Sequence, residues 1–468
     1  MLLHDYLDYY AREQGEMPCV IQDDRSLNYQ QLAEQVNRLA HGLQIRGLKP
    51  GDRIALLSRN SIEMLVVYLA ASKTGVVPVP LNWRLAPPEW SYIIRDSGAR
   101  LLLVEAEFTE GINLVRPELN MVQDYFQIGG EIAPCWDSFD ELMANRPEKA
   151  LKCSGEDQDI LYQMYTSGTT GRPKGTLVTH SAILANISQC SLVFASCMGP
   201  GKRTLIVMPM FHASAAIFSF ISLFTGSTMV IHREYSATML ADALSNHNIS
   251  LVNLVPAMIR EMLVDVDDLS LRDYSQLRAI IYGASPIAEK VLLEGIKVFG
   301  CDFYQGYGQT ESSAGISFLT AGDHRKALKG RPELLLSAGR PLVGTSLRIV
   351  DGEGNDLPVG QAGEIIAKGP QMMTGYWNLP EETEKTLKDG WLHTGDVGML
   401  DQDGYLYIQD RLKDMIVSGG ENIYPREVEN ILFDHASIDD VAVIGLPDEK
   451  YGETVMAVIV PDKRKKIL

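Results

Sequence analysis

The amino-acid sequence predicts an α/β protein with a large N-terminal domain made of two α/β subdomains. A small β-rich, barrel-like module and an incomplete small α/β C-terminal domain are expected to follow. Two observations lead to this fold class. Short apolar runs of strand length alternate with amphipathic helical stretches through most of the chain. Beyond about residue 337, short strands separated by Gly, Pro and Asp turns dominate instead.

The first clear helix carries signals at both of its ends. Asn28 and Gln31 form a capping-box pattern, apolar residues then recur at helical spacing, and Gly47 suits the helix end. The same alternation predicts the elements that follow, namely a strand at 54–57, a helix capped by Ser61 and ending near Gly75, and a strand at 76–79.

A second series of α/β elements follows in the middle of the chain. Apolar runs predict buried strands at 205–208, 229–231, 251–255 and 279–282, with helices near 237–245 and 286–299. Ser285 and Pro286 are expected to cap and open the last of these helices. Ser, Thr and Gly interrupt the most apolar stretch, 213–231, so we interpret it as a buried helix followed by a strand, not as a membrane span.

The β-rich module and the C-terminal domain are predicted from a change of pattern. Strands at 347–350 and 364–367 are bounded by turns such as Asp351-Gly352 and Asp403-Gly404. We predict a domain of residues 1–409, with the module at about 337–409, and a C-terminal domain of residues 410–468. The latter should contain a helix near 425–432 and strands near 441–444 and 455–460.

Composition limits the possible functions. The 468 residues include 42 Lys and Arg against 60 Asp and Glu, a formal charge of −18. Such an acidic chain is a poor general partner for nucleic acid, and local groups must hold any anionic ligand. The six cysteines form no C-x-x-C pair and the N-terminus lacks the pattern of a signal peptide, so we expect a cytoplasmic protein with reduced thiols.

The most informative segment is the string from Tyr165 to Gly175, which combines three glycines with four hydroxyl residues, Arg172 and Lys174. Glycines allow a tight backbone, and hydroxyl and cationic groups donate to phosphate oxygens. The string does not fit a Walker loop. Its simplest alternative is a polar surface loop.

Further motifs follow this string in a fixed order. They are Met210-Phe211-His212, Tyr282-Gly283-Ala284-Ser285-Pro286, Gly306-Tyr307-Gly308-Gln309-Thr310-Glu311, Trp391-Leu392-His393-Thr394-Gly395-Asp396, and residues 410–414 continuing through 418–422. Together with the string they resemble the adenylate-forming (ANL) superfamily, in particular its acyl-CoA synthetases, the AMP-dependent acid–CoA ligases. The resemblance runs from about residue 20 to the last residues. It implies ATP, Mg²⁺ and CoA as cofactors and substrates.

The resemblance assigns one group of residues to the phosphates. It implies that the loop holds the β- and γ-phosphates through Thr166, Ser167, Gly168, Thr169, Thr170, Gly171 and Lys174. Thr310 would donate to the α-phosphate, and Glu311 would bind Mg²⁺, a hard cation that prefers oxygen ligands. Alternatively, Glu311 is a solvated acid. The expected catalytic set consists of Thr166, Lys174, His212, Thr310 and Glu311.

A second group is assigned to the nucleoside and to CoA. The resemblance implies that Tyr307, beside Gly308, stacks on adenine while Gly283, Ala284 and Ser285 present backbone to the base. Asp396 and Arg411 would bind the ribose, Lys413 would be the hinge of a rotating C-terminal domain, and Gly419 and Gly420 would let the pantetheine thiol pass. The alternatives are a core position for Tyr307, a turn for Asp396 and a simple turn for the two glycines.

The acyl substrate is expected to be a plain carboxylic acid, fatty or aryl. By resemblance His212 borders the acyl pocket at a position where amino-acid-activating relatives commonly carry an Asp. This chain has no acid there, so a substrate ammonium would lack a partner. Small or apolar positions named for the pocket are Ala213, Val255, Pro256, Gly306, Ala314 and Gly315. A core histidine is the alternative.

One motif of the superfamily is not found. Relatives carry, after a strand such as 455–460, a segment ending in a P-x-x-x-x-G-K type motif whose lysine serves adenylation. The basic residues 463–466 are interpreted as a solvated tail. The hypothesis is that this chain adenylates slowly or not at all alone, and that its small domain leaves an apolar face and a sheet edge uncovered.

The sequence therefore favours an ATP-dependent ligase that converts a fatty or aryl acid into an acyl-adenylate and then into a CoA thioester. One alternative is a stand-alone adenylation domain that loads a carrier protein. Another is a nucleotide- or acyl-adenylate-binding protein with impaired turnover. The sequence does not indicate acyl chain length or oligomeric state.

Overall fold

The computed structural model describes residues 1–151, 155–166, 172–285, 287–412, 414–418, 421–433, 435, 437–448 and 451–461. Several residues named from the sequence lie outside these ranges: Ser167, Gly168, Thr169, Thr170, Gly171, Pro286, Lys413, Gly419 and Gly420.

The N-terminal region forms the first α/β subdomain. Its elements are α1 (Leu3–Glu13), β1 (Pro18–Gln22), β2 (Arg25–Asn28), α2 (Tyr29–Ile45), β3 (Arg53–Leu57), α3 (Ile62–Thr74), β4 (Val77–Pro80), α4 (Pro87–Ser97), β5 (Leu101–Glu105), α5 (Thr109–Val115), β6 (Asp124–Ile128), β7 (Asp137–Ser138) and α6 (Phe139–Met143). β3 to β7 form a parallel sheet in the order β4-β3-β5-β6-β7.

The predicted capping box of α2 is confirmed by bonds of 2.8 and 3.0 Å between Asn28 and Gln31. Ser61 caps α3 and Gly75, at φ 72°, ends it, also as predicted.

The middle of the chain adds a hairpin and a second, larger sheet. Its elements are β8 (Ile160–Thr166), β9 (Lys174–Thr179), α7 (His180–Phe194), β10 (Arg203–Ile206), α8 (Ala213–Thr225), β11 (Thr228–Ile231), α9 (Ala237–Asn246), β12 (Leu251–Leu254), α10 (Pro256–Asp265), β13 (Ala279–Gly283), α11 (Glu289–Phe299), β14 (Asp302–Tyr307), β15 (Ser317–Leu319), α12 (Ala321–Ala327) and β16 (Arg340–Pro341). The sheet order is β16-β15-β14-β13-β12-β10-β11-β1-β2. Since β10 to β14 run parallel, their carboxyl ends meet at one edge, where open α/β sheets bind ligands.

Two expectations for this region have clear outcomes. The stretch 213–231 is a buried helix followed by a strand, as predicted. In the part of the chain that the structure describes, no helix is both long and apolar enough to cross a membrane. The predicted start of α11 is wrong, because the helix begins at Glu289 after Ala288 and not at Ser285-Pro286. Ala284, the residue after β13, has a left-handed φ of 66°.

The predicted β-rich module is confirmed as an antiparallel sheet. Its elements are β17 (Ser346–Val350), β18 (Gly363–Lys368), β19 (Gly375–Tyr376), α13 (Pro380–Thr386), β20 (Leu387–Lys388), β21 (Trp391–Leu400) and β22 (Leu406–Arg411). The order is β17-β18-β21-β20, with β22 also paired to β21, whereas β19 leaves the module and pairs with β9 of the hairpin. β22 continues to Arg411, beyond the domain boundary drawn after residue 409, and that boundary stays a prediction.

The C-terminal region is a small α/β unit, as the pattern predicts. It contains β23 (Ile416–Ser418), β24 (Glu421–Ile423), α14 (Pro425–Phe433), β25 (Ile438–Asp448) and β26 (Gly452–Pro461) in the sheet order β24-β23-β26-β25. Ile416, Val441 and Val443 form its small core. Val458, Ile459 and Val460 of β26 are 49%, 45% and 44% exposed.

Candidate active site

A cavity of about 1180 Å³ opens at the carboxyl edge of the large sheet, between the β8–β9 hairpin and the β-rich module. Many residues named from the sequence line it together: Thr166, Lys174, His212, Ala284, Gly308, Thr310, Glu311, Asp396 and Arg411. The structure therefore brings together residues that the sequence spreads over more than two hundred positions. We call the part of its lining around Lys174, Glu311 and Asp396 the polar end, and the part around Phe211, His212 and Met258 the apolar end.

Backbone at the ends of β13 and β14 forms the wall where the sequence places the adenine. Gly283 pairs with Gly306 across these strands, and a Cβ on Gly283 would lie 2.3 Å from the Gly306 carbonyl oxygen. Only glycine fits such an approach. Ala284 follows at the cavity wall and Ser285 is exposed beside it. Of these three residues Ala284 lies in the described cavity lining, and the role of Gly283, Ala284 and Ser285 beside the base stays a prediction.

The carboxylate of Asp396 lies at the centre of a hydrogen-bonded group. Its Oδ2 accepts from the Tyr307 hydroxyl at 2.7 Å and from Gln309 Nε2 at 2.9 Å, while Arg411 Nε lies 3.7 Å from Oδ1. Burial, reinforced by the Asp396 charge, raises the pKa of Tyr307 well above its ordinary value, so its hydroxyl stays a donor. Strands β21 and β22 place Asp396 directly opposite Arg411. Sequence reasoning missed the contribution of Gln309, although it lies inside a recognised motif.

Glu311 is held by two hydroxyl groups at the polar end. Its Oε1 accepts from Tyr376 at 2.8 Å and lies 3.4 Å from the Thr166 hydroxyl. The described residues contain no group of three or more His, Cys, Asp or Glu side chains that could hold a metal alone.

Lys174 begins β9 and is buried at the cavity wall. Its Nζ lies 2.5 Å from Glu382 Oε2 and 5.2 Å from the centre of the Tyr376 ring. Hydrogen bonds from Lys174 and then Lys385 lower the pKa of Glu382 to about 2, so this carboxylate is ionised at neutral pH. Glu382 was not named from the sequence, because residues 381–384 have the pattern of a solvated helix face.

The apolar end surrounds His212, which precedes α8. Burial, and then the charge of Arg84, lowers the pKa of His212 to about 4, so its ring is neutral at pH 7. The ring centre lies 4.3 Å from that of Phe211, while the open side faces the cavity and is accessible to water. Other apolar residues that line the cavity are Ile93, Met208, Pro209, Val255, Met258 and Ala314.

The predicted acyl-pocket set is only partly correct. Ala213, Val255 and Ala314 line the cavity, whereas Pro256, Gly306 and Gly315 are absent from its described lining. Gly306 and Gly315 pack instead against Phe318, whose ring atoms would lie 2.9 and 3.1 Å from a Cβ at those positions. Pro256 is buried as the first residue of α10. Met208 and Met258 were not named from the sequence.

Lys174, Glu311 and Asp396 line one cavity together with apolar residues such as Phe211 and Met258. This arrangement fits the class of adenylate-forming enzymes. The chain belongs to the AMP-binding enzyme family, which it matches over residues 7–377, and residues 427–468 match the AMP-binding enzyme C-terminal domain.

The relatives are consistent with this class. The chain is 37% identical over 458 residues to the fatty acid–[acyl-carrier-protein] ligase ScoC of Streptomyces coeruleorubidus, covering 97% of this chain and 85% of the relative. It is 36% identical to feruloyl-CoA synthase of Amycolatopsis sp, with 98% and 88% covered. The o-succinylbenzoate coenzyme A synthetase of Bacillus subtilis, solved with ATP and magnesium ion, has a TM-score of 0.85 at 30% identity, with 98% and 90% covered. The chain is accordingly an AMP-forming acid–thiol ligase.

Proposed function

We propose that the protein activates a fatty or aryl carboxylic acid with ATP and transfers the acyl group to the thiol of CoA. The observation that supports this most is the continuity of the cavity. Its polar end contains Lys174, Glu311 and Asp396, and its apolar end contains Phe211 and Met258. A nucleotide and an apolar acid can therefore meet in one continuous cavity, which is the main requirement for joining two anions.

In the first step, a carboxylate oxygen of the acid attacks the α-phosphorus of ATP and pyrophosphate leaves. Lys174 and Thr166 would bind phosphate oxygens, and the Thr310 hydroxyl would donate to the α-phosphate. These donors are fixed before the reaction, so they stabilise the developing charge without reorganisation. Glu311 would hold Mg²⁺, which neutralises phosphate charge when bound.

Asp396, Arg411 and Tyr307 would orient the nucleoside. Asp396 would accept from the ribose hydroxyls, and the Tyr307 hydroxyl donates to its Oδ2 at 2.7 Å, which orients the Tyr307 ring beside the same carboxylate. Ala284 and its neighbours Gly283 and Ser285 would border the base. The nucleotide is thereby held at both ends while the α-phosphorus faces the acid.

In the second step, the thiol sulfur attacks the acyl carbonyl carbon, the acyl–phosphate bond breaks, and AMP leaves. The hinge role of Lys413 and the thiol passage at Gly419 and Gly420 remain proposals from the family resemblance.

The acid is proposed to lack an amino group. His212 is neutral, and the positive charge of Arg84 acts on the same ring. A substrate ammonium in the apolar end would therefore be poorly compensated. A fatty or aryl chain fits the methionine and phenylalanine side chains, which adapt to apolar ligands.

A carrier-protein thiol is a second candidate acceptor, because ScoC is named as a ligase that acts on acyl-carrier protein. Incubating the chain with ATP, Mg²⁺ and a panel of short, medium, long-chain and aryl acids tests both candidates. CoA and a phosphopantetheinylated carrier protein are compared as acceptors. We expect thioester with CoA. Thioester with the carrier alone would favour the second candidate, and ATP binding without turnover would favour a binding protein.

A further inference from the structure

The ion pair between Lys174 and Glu382 suggests a function for Glu382 beyond the family motifs. The two side chains are only 8% and 23% exposed. A buried ammonium is costly unless a carboxylate accompanies it. Glu382 uses both oxygens, because Oε2 contacts Lys174 and Oε1 lies 2.9 Å from Lys385 Nζ. The contact with the buried Lys174 fixes the position of the carboxylate.

The helix that carries Glu382 is attached to the strand that carries Lys174. Tyr376 N donates to the Thr383 hydroxyl at 2.9 Å, which ties α13 to β19. β19 pairs with β9, and Trp377 N donates to the Gly175 carbonyl oxygen at 2.7 Å. Glu382 therefore sits on a unit hydrogen-bonded to the residue next to Lys174, so their spacing is set by the fold and not by flexible side chains alone.

The two residues approach the cavity differently. Lys174 belongs to the cavity lining, as does Tyr376. Glu382 is not among the described residues that line the cavity. A lysine ammonium carries three N–H donors. Glu382 can accept one from outside the cavity while the others point to an oxygen ligand within it.

We propose that Glu382 is a positioning residue that holds Lys174 Nζ at the cavity wall for the phosphates of ATP. This inference rests on the proposed role of Lys174 in phosphate binding. Glu382 itself contacts no substrate. Lys385 is 69% exposed, so its part of the network should matter little.

Calorimetry with ATP and Mg²⁺ tests this proposal on the full chain. Glu382→Gln should weaken ATP binding about tenfold, because Lys174 loses its charged partner. The KM for ATP should rise with it, while the KM for the acid stays the same. Glu384→Gln, an exposed acid on the same helix, is the matched control and should bind ATP as the wild type does.

A double-mutant cycle separates positioning from general damage to the fold. In a Lys174→Met background, Glu382→Gln should cause no further loss of ATP affinity. If Gln destabilises the fold in thermal melts, Glu382→Asp keeps the charge but withdraws the carboxylate, and the same ATP-specific loss is expected.

Unchanged ATP binding in Glu382→Gln would overturn the positioning role of Glu382 and leave the proposed function standing. Additive losses of ATP affinity in the double-mutant cycle would do the same. Tighter ATP binding would overturn it too, since Glu382 would then be a competitor of the phosphates. A wild-type chain that binds no ATP would overturn the proposed function and this inference together.

Discussion

The two ends of the cavity are built in different ways. At the polar end, the groups proposed to hold ATP are each held by protein partners, as with Lys174 by Glu382, Glu311 by Tyr376, and Asp396 by Tyr307. At the apolar end, packing dominates, as in the contact of His212 with Phe211. The polar end should therefore fix the chemistry, and the apolar end should tolerate substitutions that change substrate preference.

Loss of the proposed magnesium ligand should have the largest effect. Glu311→Gln keeps the size of the side chain but removes its charge, and should lower the rate of pyrophosphate release about a hundredfold, since metal neutralisation of phosphate supplies several kcal/mol. Glu381→Gln serves as the control. A Glu311→Gln variant with near-normal turnover would show that the polar end does not depend on this acid.

Removal of one orienting hydroxyl should have a smaller effect. Tyr307→Phe keeps the ring and loses the donor to Asp396, so ATP affinity should fall about tenfold or less. Calorimetry measures this change, and the thermal midpoint monitors the fold. Equal losses for ATP and for the acid substrate would contradict the division between the two ends.

A charge at the apolar end should alter preference and leave ATP binding intact. His212→Asp should reduce kcat/KM for fatty or aryl acids about tenfold, because an unpaired carboxylate would face an apolar chain. Isothermal titration with ATP should match that of the wild type. His212→Asn is the uncharged control, and weakened ATP binding in the Asp variant alone would link the two ends.

The pH dependence of the reaction tests whether the His212 ring at the apolar end is neutral. Because burial lowers the pKa of His212 to about 4, its ring stays neutral as pH falls from 8 to about 5. The kcat/KM for the carboxylic acid substrate should therefore show no inflection from His212 across this pH range. An inflection near pH 6.5 that disappears in His212→Asn would mean that the ring is not desolvated.

The smallest effect is expected far from the cavity. Val458→Thr replaces an exposed apolar residue of β26, so stability should change by less than about 0.5 kcal/mol and ATP binding should not change. Denaturant melts and calorimetry check both. A large loss of ATP affinity would require a coupling between the C-terminal sheet and the cavity.

The sequence predicts local features of this protein better than partnerships between distant residues. The capping box of α2 and the helix–strand order of 213–231 follow from short patterns, and the structure confirms them. Glu382 was missed because its partner Lys174 is 208 positions away and its own surroundings have the pattern of an exposed helix. Gly315 was misplaced in the acyl pocket because small size suits both a cavity wall and close packing against Phe318.

The central claim is that this cavity joins ATP to a plain carboxylic acid. Exchange of labelled pyrophosphate into ATP, measured with and without the preferred acid, tests it most directly, because exchange requires reversible formation of the acyl-adenylate. We predict exchange that depends on the acid, is lost in Glu311→Gln and persists in Glu384→Gln. Exchange that is independent of any acid would contradict the account.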